Sequence, residues 1–541
     1  MRLLSLLALA TAGVLCLSSG ANAQATSDWA KVVNGHLTYK TIPVGSPAVD
    51  HGDHFMDFSY AGYGGGGVAI PDVATTVTVS PLGGTTDDTS AIQTAINTVS
   101  NLTPDANGFR GKVVLSEGTF NITGLSIIKS GVVLSGTNKN TTLKFNGAIN
   151  AVAIQIGVYG STPCTPGATP KFLSDAYVPS GSQTVKVDDS ASGGTTGLSV
   201  GQSVIVCRPV TTDWVHYMGM DTLVRDGLPQ TWLAVGTYIQ TFRTLTAVDA
   251  TAKTVTLSAP LSDSFDATYL GSHASYVIPF TDTRITKVGV QDLTIKAPAG
   301  TDVYRAVNIR NTVDAWVKNV TGLETQNAFI IDVTAQRVTL DHVINKVTTP
   351  QYNQAPTVDF DIVGSQVFVN KSQSLKADDG LGDWSLVTDA AGTGPIAVLQ
   401  FSTNQHLGAS PHQRWTTGLL VDSSSFLNTQ YGTDSGTAVA FTNRSTAGTG
   451  QGWTTGWSVG WNIYSPQPIG SAAASLAVSA PPGAQNFCIF CTGVKKTSTP
   501  DGTYDGLNPP ASPGFTPESL YLEQLYERLG TGALINIGYG M

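Results

Sequence analysis

A short apolar pattern recurs in the middle of the chain at intervals that suit one coil of a solenoid. Residues 290–293, 317–320 and 340–343 each read apolar-x-x-apolar, at spacings of 27 and 23 residues. Repeats of roughly 20–50 residues are typical of architectures in which each unit buries its apolar face on its neighbours. Apolar runs at 396–401, 418–421 and 457–463 continue the pattern. The chain is therefore expected to stack short strands along one axis as a single continuous body.

Composition favours β-structure and indicates which classes of binding partner are not expected. Only 12% of the residues are charged and 58 are glycine, whereas long helices need Ala, Leu, Glu, Lys and Arg. The net charge is −9, and the 29 Lys and Arg residues form no basic run, so a nucleic-acid partner is not expected. After the first residues no window reaches the roughly 20 apolar residues of a membrane span.

The N-terminus and the cysteines predict an exported protein. Arg2, an apolar stretch at 3–17 and the small residues at 21–23 have the pattern of a signal peptide cleaved before Gln24. We therefore expect a secreted, extracellular protein, acting as a monomer, and sequons such as that at Asn101 fit a glycoprotein. The four remaining cysteines are Cys164, Cys207, Cys488 and Cys491. Proximity favours the pairs 164–207 and 488–491, although four cysteines allow three connectivities.

Periodicity divides the chain into segments. A helix begins near Asp88 or Thr89, either of which can cap it, with its apolar face from Ile92 to Val99. A second helix begins at 516–518 and ends at Gly530, with Leu522, Leu525 and Leu529 on one face. Runs at 184–187, 203–206 and 254–257 alternate as antiparallel strands do. The predicted divisions are a signal peptide (1–23), an irregular N-terminal arm (24–80), a cap with the first coils (81–160), a β-rich insertion forming one wall of a cleft (161–280), the main coils (281–495) and a C-terminal tail with a helix (496–541).

Three of these segments carry a family resemblance. Residues 87–96, 113–120 and 131–136 resemble the start of the pectate-lyase-like right-handed parallel β-helix superfamily. The resemblance implies an all-β solenoid whose first helix covers its open end, which would otherwise recruit other strands. Segments 57–63, 411–415, 450–453 and 482–487 resemble an exported subgroup of that superfamily. Lyases, hydrolases and phage spikes share the fold, so the resemblance leaves the reaction open.

The densest polar cluster predicts a polysaccharide lyase. His406 is followed by His412 and Arg414, and alternate residues of an extended segment share one face. In β-elimination at a uronic acid, Arg414 would neutralise the carboxylate by two parallel hydrogen bonds. His412 would take the α-proton, because a neutral histidine is a competent base near physiological pH, and His406 would assist.

Aromatic residues near this cluster are candidates for sugar binding. Trp453, Trp457 and Trp461 lie within nine positions, and Trp415 follows Arg414. Indole faces bind the C–H faces of sugar rings when they are exposed, and fill the solenoid interior when they are not. Arg444 completes the predicted substrate-binding set.

Two alternatives remain open beside the lyase. A glycoside hydrolase needs two carboxyl groups about 5 to 9.5 Å apart, and the candidates are Asp378, Asp379, Asp383, Asp422 and Asp434. A non-catalytic protein would hold glycan through its tryptophans. Calcium commonly assists β-helix pectate lyases, and Asp378, Asp379 and Asp383 carry suitable oxygens, but their spacing matches no defined calcium loop, so no metal site is assigned.

Overall fold

The computed structural model describes most of the chain after residue 23. The described ranges are 24–160, 164, 169–300, 303–348, 357–376, 384–404, 407–427, 437–466, 475–497, 500–509 and 514–540. The expected signal peptide, His406, and the four candidates Asp378, Asp379, Asp383 and Asp434 lie outside them.

The body of the molecule is a right-handed parallel β-helix, as predicted. One face, here called sheet A, is a nine-stranded parallel sheet in the described part of the chain. Each coil adds one strand to it, and neighbouring strands come from successive coils. Its strands are Leu125–Ile127, Val152–Ile156, Arg305–Ile309, Phe329–Ile331, Val358–Ile362, Trp384–Val387, Leu407–Ala409, Val439–Phe441 and Leu476–Val478.

Two further parallel ladders complete the coils. Sheet B contains Thr75–Val79, Gly111–Leu115, Val132–Ser135, Ile285–Lys296, Thr312–Leu323, Gln336–Asp341, Val367–Asn370, Thr393–Leu399, Thr416–Asp422, Thr455–Gly456, Val459–Trp461, Phe487–Ile489 and Thr503–Asp505. Sheet C contains Gly118–Ile122, Thr141–Phe145, the second halves of the two long strands of sheet B, Ile344–Val347, Gln373–Lys376, Ser402–Asn404 and Ser425–Leu427.

The solenoid interior is filled by aliphatic and aromatic side chains from all three sheets. Phe329 stacks on Phe360 with ring centroids 5.3 Å apart, and Phe360 meets Phe401 edge-on at 5.3 Å. The three rings come from successive coils, so aromatic side chains form a stack along the axis of the solenoid. This stacking fixes which side of each strand faces inward and leaves alternate side chains on the outer surface.

The capping helix lies where the sequence predicts it, at Thr89–Ser100. Ile92, Ala95, Ile96 and Val99 are buried against the first coils. The predicted cap is wrong in detail, because the Asp87 carboxylate accepts from the Thr89 N–H at 2.9 Å. Asp88 instead accepts from the N–H groups of Leu82 and Asn121. A helix N-terminus has several free N–H groups, and neighbouring carboxylates compete for them.

The insertion forms a separate antiparallel sheet beside the solenoid. Its strands, in spatial order, are Lys171–Phe172, Tyr276–Pro279, Ser203–Pro209, Tyr238–Asp249, Thr254–Leu257 and Thr184–Lys186. Two more short pairs join Tyr177–Val178 to Phe265–Asp266 and Val224–Arg225 to Leu228–Pro229. Short helices at Asp189–Ser192, Thr212–Tyr217 and Ala267–Leu270 connect them. The three alternating segments predicted as antiparallel strands are therefore confirmed.

The N-terminal arm and the C-terminal helices cover the outside of sheet B. The arm carries a hairpin of Ala30–Val33 and His36–Tyr39 and two 3₁₀ turns, Phe58–Tyr60 and Tyr63–Gly65. Its end differs from the prediction, since Thr75–Val79 already pairs with the first coil. A further 3₁₀ turn is Asn138–Asn140, and two terminal strands, Ala25–Thr26 and Phe515–Thr516, pair with each other.

The C-terminal helix spans Leu520–Leu529 and is followed by Thr531–Asn536. Ser519 caps it by accepting from the Leu522 N–H, and Gly530 ends it. The predicted apolar face is wrong in part. Leu525 is buried together with Leu520, Tyr521 and Gln524, whereas Leu529 is 49% exposed.

Both predicted disulfides, Cys164–Cys207 and Cys488–Cys491, are formed. The first lies in the insertion and the second in the last coils. Within the described ranges no helix is long and apolar enough to cross a membrane.

Candidate active site

Three aspartates from consecutive coils form a row near the C-terminal ends of the strands of sheet A. Asp361 lies in the strand Val358–Ile362, in register with Ile330 on one side and Val387 on the other. Asp332 and Asp389 each follow their register partner by two residues, in the turns after their strands. Because Phe360 faces the interior, the next side chain, Asp361, is on the outer face. The β-helix thus brings together three carboxyl groups that are 29 and 28 residues apart in sequence.

His412 extends the row by one coil. Its Nδ1 lies 2.8 Å from Asp389 Oδ1, and its Nε2 lies 2.7 Å from Gln451 Nε2. The Gln451 amide donates to Nε2, so the imidazole carries its proton on Nδ1 and donates to Asp389. The side chains of His412 and Asp389 are 36% and 30% exposed, which leaves the pair accessible from solvent.

One carboxyl group of the row, that of Asp361, has a raised pKa. Burial first, and then the charges of Asp389 and Asp332, raise the pKa of Asp361 to about 8. Asp361 Oδ1 is buried and has no hydrogen-bond partner among the described residues. A carboxyl group with this pKa holds its proton at neutral pH, and its neighbour Asp389 is oriented by a histidine.

The predicted arrangement of His412 and Arg414 is wrong. Arg414 and Trp415 both have positive φ, 56° and 67°, so the segment is not extended and its alternate side chains do not share a face. The Arg414 guanidinium is turned to Thr449, donating to its carbonyl at 3.0 Å and to its hydroxyl at 2.6 Å. The lone pair of His412 that would take a substrate proton already accepts the Gln451 amide.

The four predicted sugar-binding tryptophans are packed inside the protein. Trp415, Trp453, Trp457 and Trp461 are 0–5% exposed, so none offers a free face to a sugar ring on the surface. Each indole N–H is used internally: Trp415 and Trp457 donate to Asp263, Trp453 to the Met218 carbonyl and Trp461 to the Pro517 carbonyl. They belong to the apolar cluster between the solenoid, the arm and the insertion.

Arg444 contacts the backbone of His412. Its guanidinium donates to the His412 carbonyl at 3.1 Å and lies 5.6 Å from the Trp384 ring. It therefore positions the backbone of the histidine.

Asp422, the described member of the predicted hydrolase set, has a structural role. It is fully buried and accepts from the Ser519 hydroxyl and the Tyr521 N–H, both at 2.8 Å. Burial raises its pKa to about 7. It joins the C-terminal helix to the coil and is far from solvent, so it does not serve as a catalytic acid. The other four aspartates of that set, and His406, fall outside the described residues.

In the described ranges, no group of three or more His, Cys, Asp or Glu side chains is placed to hold a metal ion. The aspartates considered as calcium ligands, Asp378, Asp379 and Asp383, are outside those ranges.

Asp332, Asp361 and Asp389 were missed in the sequence. Isolated aspartates near turns are usually turn-forming residues, so no single one is conspicuous. The signal that was present is their spacing, which is close to the coil repeat, combined with the alternation of Phe360, Asp361 and Ile362. Aligning the coils by their inward-facing residues would have placed the three aspartates in one row.

The solenoid has the right-handed parallel β-helix fold that the resemblance seen in the sequence implied, and a family model supports that resemblance over part of the chain. Residues 82–211 match the family described as rhamnogalacturonase A/epimerase, pectate lyase-like. The match covers the capping helix, the first coils and the beginning of the insertion. Among curated proteins none matches this chain significantly.

The solved structures with a similar fold have low sequence identity to this chain. ORF18 of Geobacillus virus E2 is 11% identical, with a TM-score of 0.33, over 80% of this chain and 60% of that one. A mutant tailspike of E. coli bacteriophage HK620 in complex with pentasaccharide is 10% identical, with a TM-score of 0.39, over 79% and 57%. Polygalacturonase from Erwinia carotovora ssp. carotovora is 11% identical, with a TM-score of 0.32, over 81% and 96%. The chain thus spans about 60% of the length of the viral protein and of the tailspike. At these values the similarity says nothing about chemistry.

Proposed function

We propose that the protein is a secreted glycoside hydrolase that cleaves a polysaccharide at the carboxyl groups of Asp361 and Asp389. The observation that carries this proposal is the placement of the two aspartates on neighbouring coils, with Asp389 held by His412 at 2.8 Å. Adjacent parallel strands are about 4.8 Å apart. The two carboxyl groups are close enough for the charge of Asp389 to raise the pKa of Asp361, and hydrolysis requires a separation of about 5 to 9.5 Å.

The two carboxyl groups would have different roles. Asp361, with its pKa raised to about 8, would act as the general acid and protonate the leaving oxygen. Asp389, fixed by the imidazole N–H, would act as the base or nucleophile on the other side of the bond. His412 would be a positioning residue that keeps this carboxyl group oriented.

A lyase is less well supported by the same geometry. β-Elimination needs a cation on the substrate carboxylate and a free base beside it, whereas Arg414 binds Thr449 and His412 accepts from Gln451. Secretion is supported by the two disulfides, which persist in oxidising compartments. We expect the enzyme to act as a monomer on extracellular polysaccharide.

The test follows the purified mature protein on a panel of pectic, alginate, glucuronan and neutral glucan polymers. Reducing ends and ultraviolet absorbance of unsaturated ends are measured in parallel, with and without calcium. A hydrolase releases reducing ends without new absorbance. We expect Asp361→Asn and Asp389→Asn each to lower kcat by roughly 10²–10⁴-fold, as removal of a general acid or base does.

Asp292→Asn is the matched control, since Asp292 is a partly exposed aspartate of the same solenoid outside the row. It should retain activity within about twofold of the wild type, as a surface change away from the site does. Absorbance rising with the reducing ends would show a lyase and contradict the proposal. Binding of a polymer without any cleavage would show a non-catalytic glycan-binding protein.

A further inference from the structure

A cavity of about 150 Å³ opens where the arm, the insertion and the solenoid meet. Its lining includes His51 from the arm, Tyr177, Arg208, Tyr217 and Tyr269 from the insertion, and Trp415, which directly precedes the strand Thr416–Asp422 of the solenoid. We call it the Arg208 pocket. One ordered water needs only about 10–15 Å³, so the pocket has room for a small organic group. It lies outside the carboxyl row described above.

The floor of the pocket holds a buried cation with an unused donor. Arg208 is 4% exposed, and its Nε contacts Asp263 Oδ2 at 3.3 Å and the Ser264 carbonyl at 3.2 Å. Its guanidinium lies 4.2 Å from the centre of the Trp214 ring. Nη1 is buried and has no hydrogen-bond partner among the described residues. An unsatisfied buried donor destabilises the protein, so a ligand that supplies an acceptor to Nη1 removes this cost when it binds.

The walls are aromatic and only partly buried. Tyr217 and Tyr269 are stacked at 3.9 Å between ring centroids, and His51 stacks on Tyr177 at 4.1 Å. Stacking holds these rings in place without a ligand, so little side-chain entropy is lost on binding. Aromatic walls around a few fixed polar groups are typical of pockets for small amphipathic molecules, and sugar rings are of this kind.

The charges of the pocket favour a neutral ligand over an acidic one. Asp263 and Asp266 both line it, and Asp53 accepts the Tyr177 hydroxyl at 2.6 Å directly beside it. The positive charge of Arg208 is already opposed by Asp263, which also accepts from the indole N–H groups of Trp415 and Trp457. A further carboxylate would meet a locally acidic surface, whereas hydroxyl groups can both accept from Arg208 and donate to the aspartates.

We propose that the Arg208 pocket binds a single neutral sugar unit, with Arg208 Nη1 donating to a ring or hydroxyl oxygen and the tyrosines packing against its apolar faces. His412 and Trp415 are three residues apart, and three residues span at most about 11 Å. The pocket is therefore close enough to the carboxyl row to hold a branch or neighbouring unit of a bound polymer. Binding itself does not depend on the proposed hydrolysis.

The test titrates the intact protein with D-glucose, D-galactose, D-mannose and L-rhamnose, and with D-galacturonate. Trp214 and Trp415 line the pocket, so intrinsic tryptophan fluorescence reports occupancy, and calorimetry gives the affinity. We expect saturable binding of at least one neutral sugar within roughly 10 mM, the range of weak single-site complexes. Galacturonate should bind at least about tenfold more weakly because of the acidic lining.

Two variants locate the binding. Arg208→Lys keeps the charge opposite Asp263 but removes the Nη1 donor, and should weaken binding about tenfold. Tyr217→Ala removes part of the wall and should weaken it about fivefold. Tyr464→Ala, at a half-exposed tyrosine elsewhere on the solenoid, is the matched control and should bind as the wild type does. Thermal unfolding and circular dichroism show that each variant is folded.

Three results would overturn the inference: no saturable binding of any neutral sugar, tighter binding of galacturonate, or unchanged affinity in both Arg208→Lys and Tyr217→Ala. The Asp361→Asn variant separates this inference from the proposed hydrolysis. This variant should lose activity and still bind the neutral sugar. If the wild type hydrolyses polysaccharide but binds no neutral sugar, the pocket proposal is rejected and the proposed hydrolysis stands.

Discussion

At the scale of single residues, the protonation of Asp361 depends on groups that lie on other coils. Its carboxyl is partly withdrawn from water, and Asp389 and Asp332 add negative charge on either side of it. Each contribution disfavours the ionised form. Asp332 itself is tied to its own turn, accepting from the N–H and the hydroxyl of Thr334. It therefore influences Asp361 through its charge, without a place in the proposed reaction.

This relation predicts the effect of Asp332→Asn on the pH profile. Removing a neighbouring negative charge lowers the pKa of Asp361. Because the proposed reaction needs Asp361 protonated, activity is lost as pH rises through that pKa, about 8 in the wild type. The alkaline limb of kcat/KM should therefore move to lower pH, with little change in the maximum. An unchanged limb, or a limb moved to higher pH, would show that Asp361 is not the titrating acid.

At the scale of elements, the later strands of sheet B, such as Val367–Asn370, Thr393–Leu399 and Phe487–Ile489, are covered on both sides, unlike a sheet with one face in water. The strand Thr416–Asp422 is buried at every position. Its inward residues join the solenoid interior, and outward ones such as Leu420 pack under the arm, the insertion and the C-terminal helix. A parallel strand buried on both faces loses the polar alternation of an exposed strand. This double burial explains why the tryptophans of these coils are packing residues.

Asp422 joins the C-terminal helix to sheet B, and its removal should release that helix. Asp422→Ala leaves the buried Tyr521 N–H and the Ser519 hydroxyl without their acceptor. We expect the free energy of unfolding to fall by roughly 1–3 kcal/mol. Thermal unfolding measures the loss, and hydrogen exchange should show faster exchange at Leu520–Leu529. Asp249→Ala, at an exposed turn of the insertion, is the control and should change stability by about 0.5 kcal/mol or less.

At the scale of the whole molecule, one buried arginine joins the insertion to the solenoid. Arg243 donates to the Ala259 and Pro260 carbonyls of the insertion, at 3.0 and 2.6 Å. It also donates to the Ser365 hydroxyl at 3.1 Å and the Gly394 carbonyl at 2.8 Å in the coils. Burial lowers its pKa to about 9. Arg243 thus contributes to the relative position of the insertion and the coils, together with other contacts such as those of Trp415 and Trp457 with Asp263.

Arg243→Met should therefore loosen the insertion while keeping the side-chain volume nearly constant. Several buried acceptors lose their charged donor, so we expect destabilisation of at least roughly 2 kcal/mol. Thermal unfolding measures it, and limited proteolysis should cut first at the borders of the insertion. Arg225→Met provides the comparison, because exposed Arg225 also bridges to the solenoid, at the Gly448 carbonyl. Equal stability of both variants with the wild type would contradict the role of Arg243.

The sequence by itself determined the features that depend on local pattern. The capping helix follows from the spacing of Ile92, Ala95, Ile96 and Val99, and the coils follow from short apolar runs at a regular interval. The antiparallel strands of the insertion and both disulfide pairs were likewise predicted. These features are visible in one dimension because secondary-structure periodicity and short loops are properties of neighbouring residues.

The tertiary structure alone decided which side chains meet and which are covered. Asp361 and Asp389 become neighbours only through the register between coils, which is set by how the phenylalanines stack inside. The burial of the tryptophans depends on the arm and the insertion, which pack over them. His412 and Arg414 do not share a face because Arg414 and Trp415 have positive φ. Packing between segments far apart in sequence outweighs local preference at such positions. No local pattern therefore distinguishes an exposed sugar-binding ring from a covered one, or a turn aspartate from a paired acid.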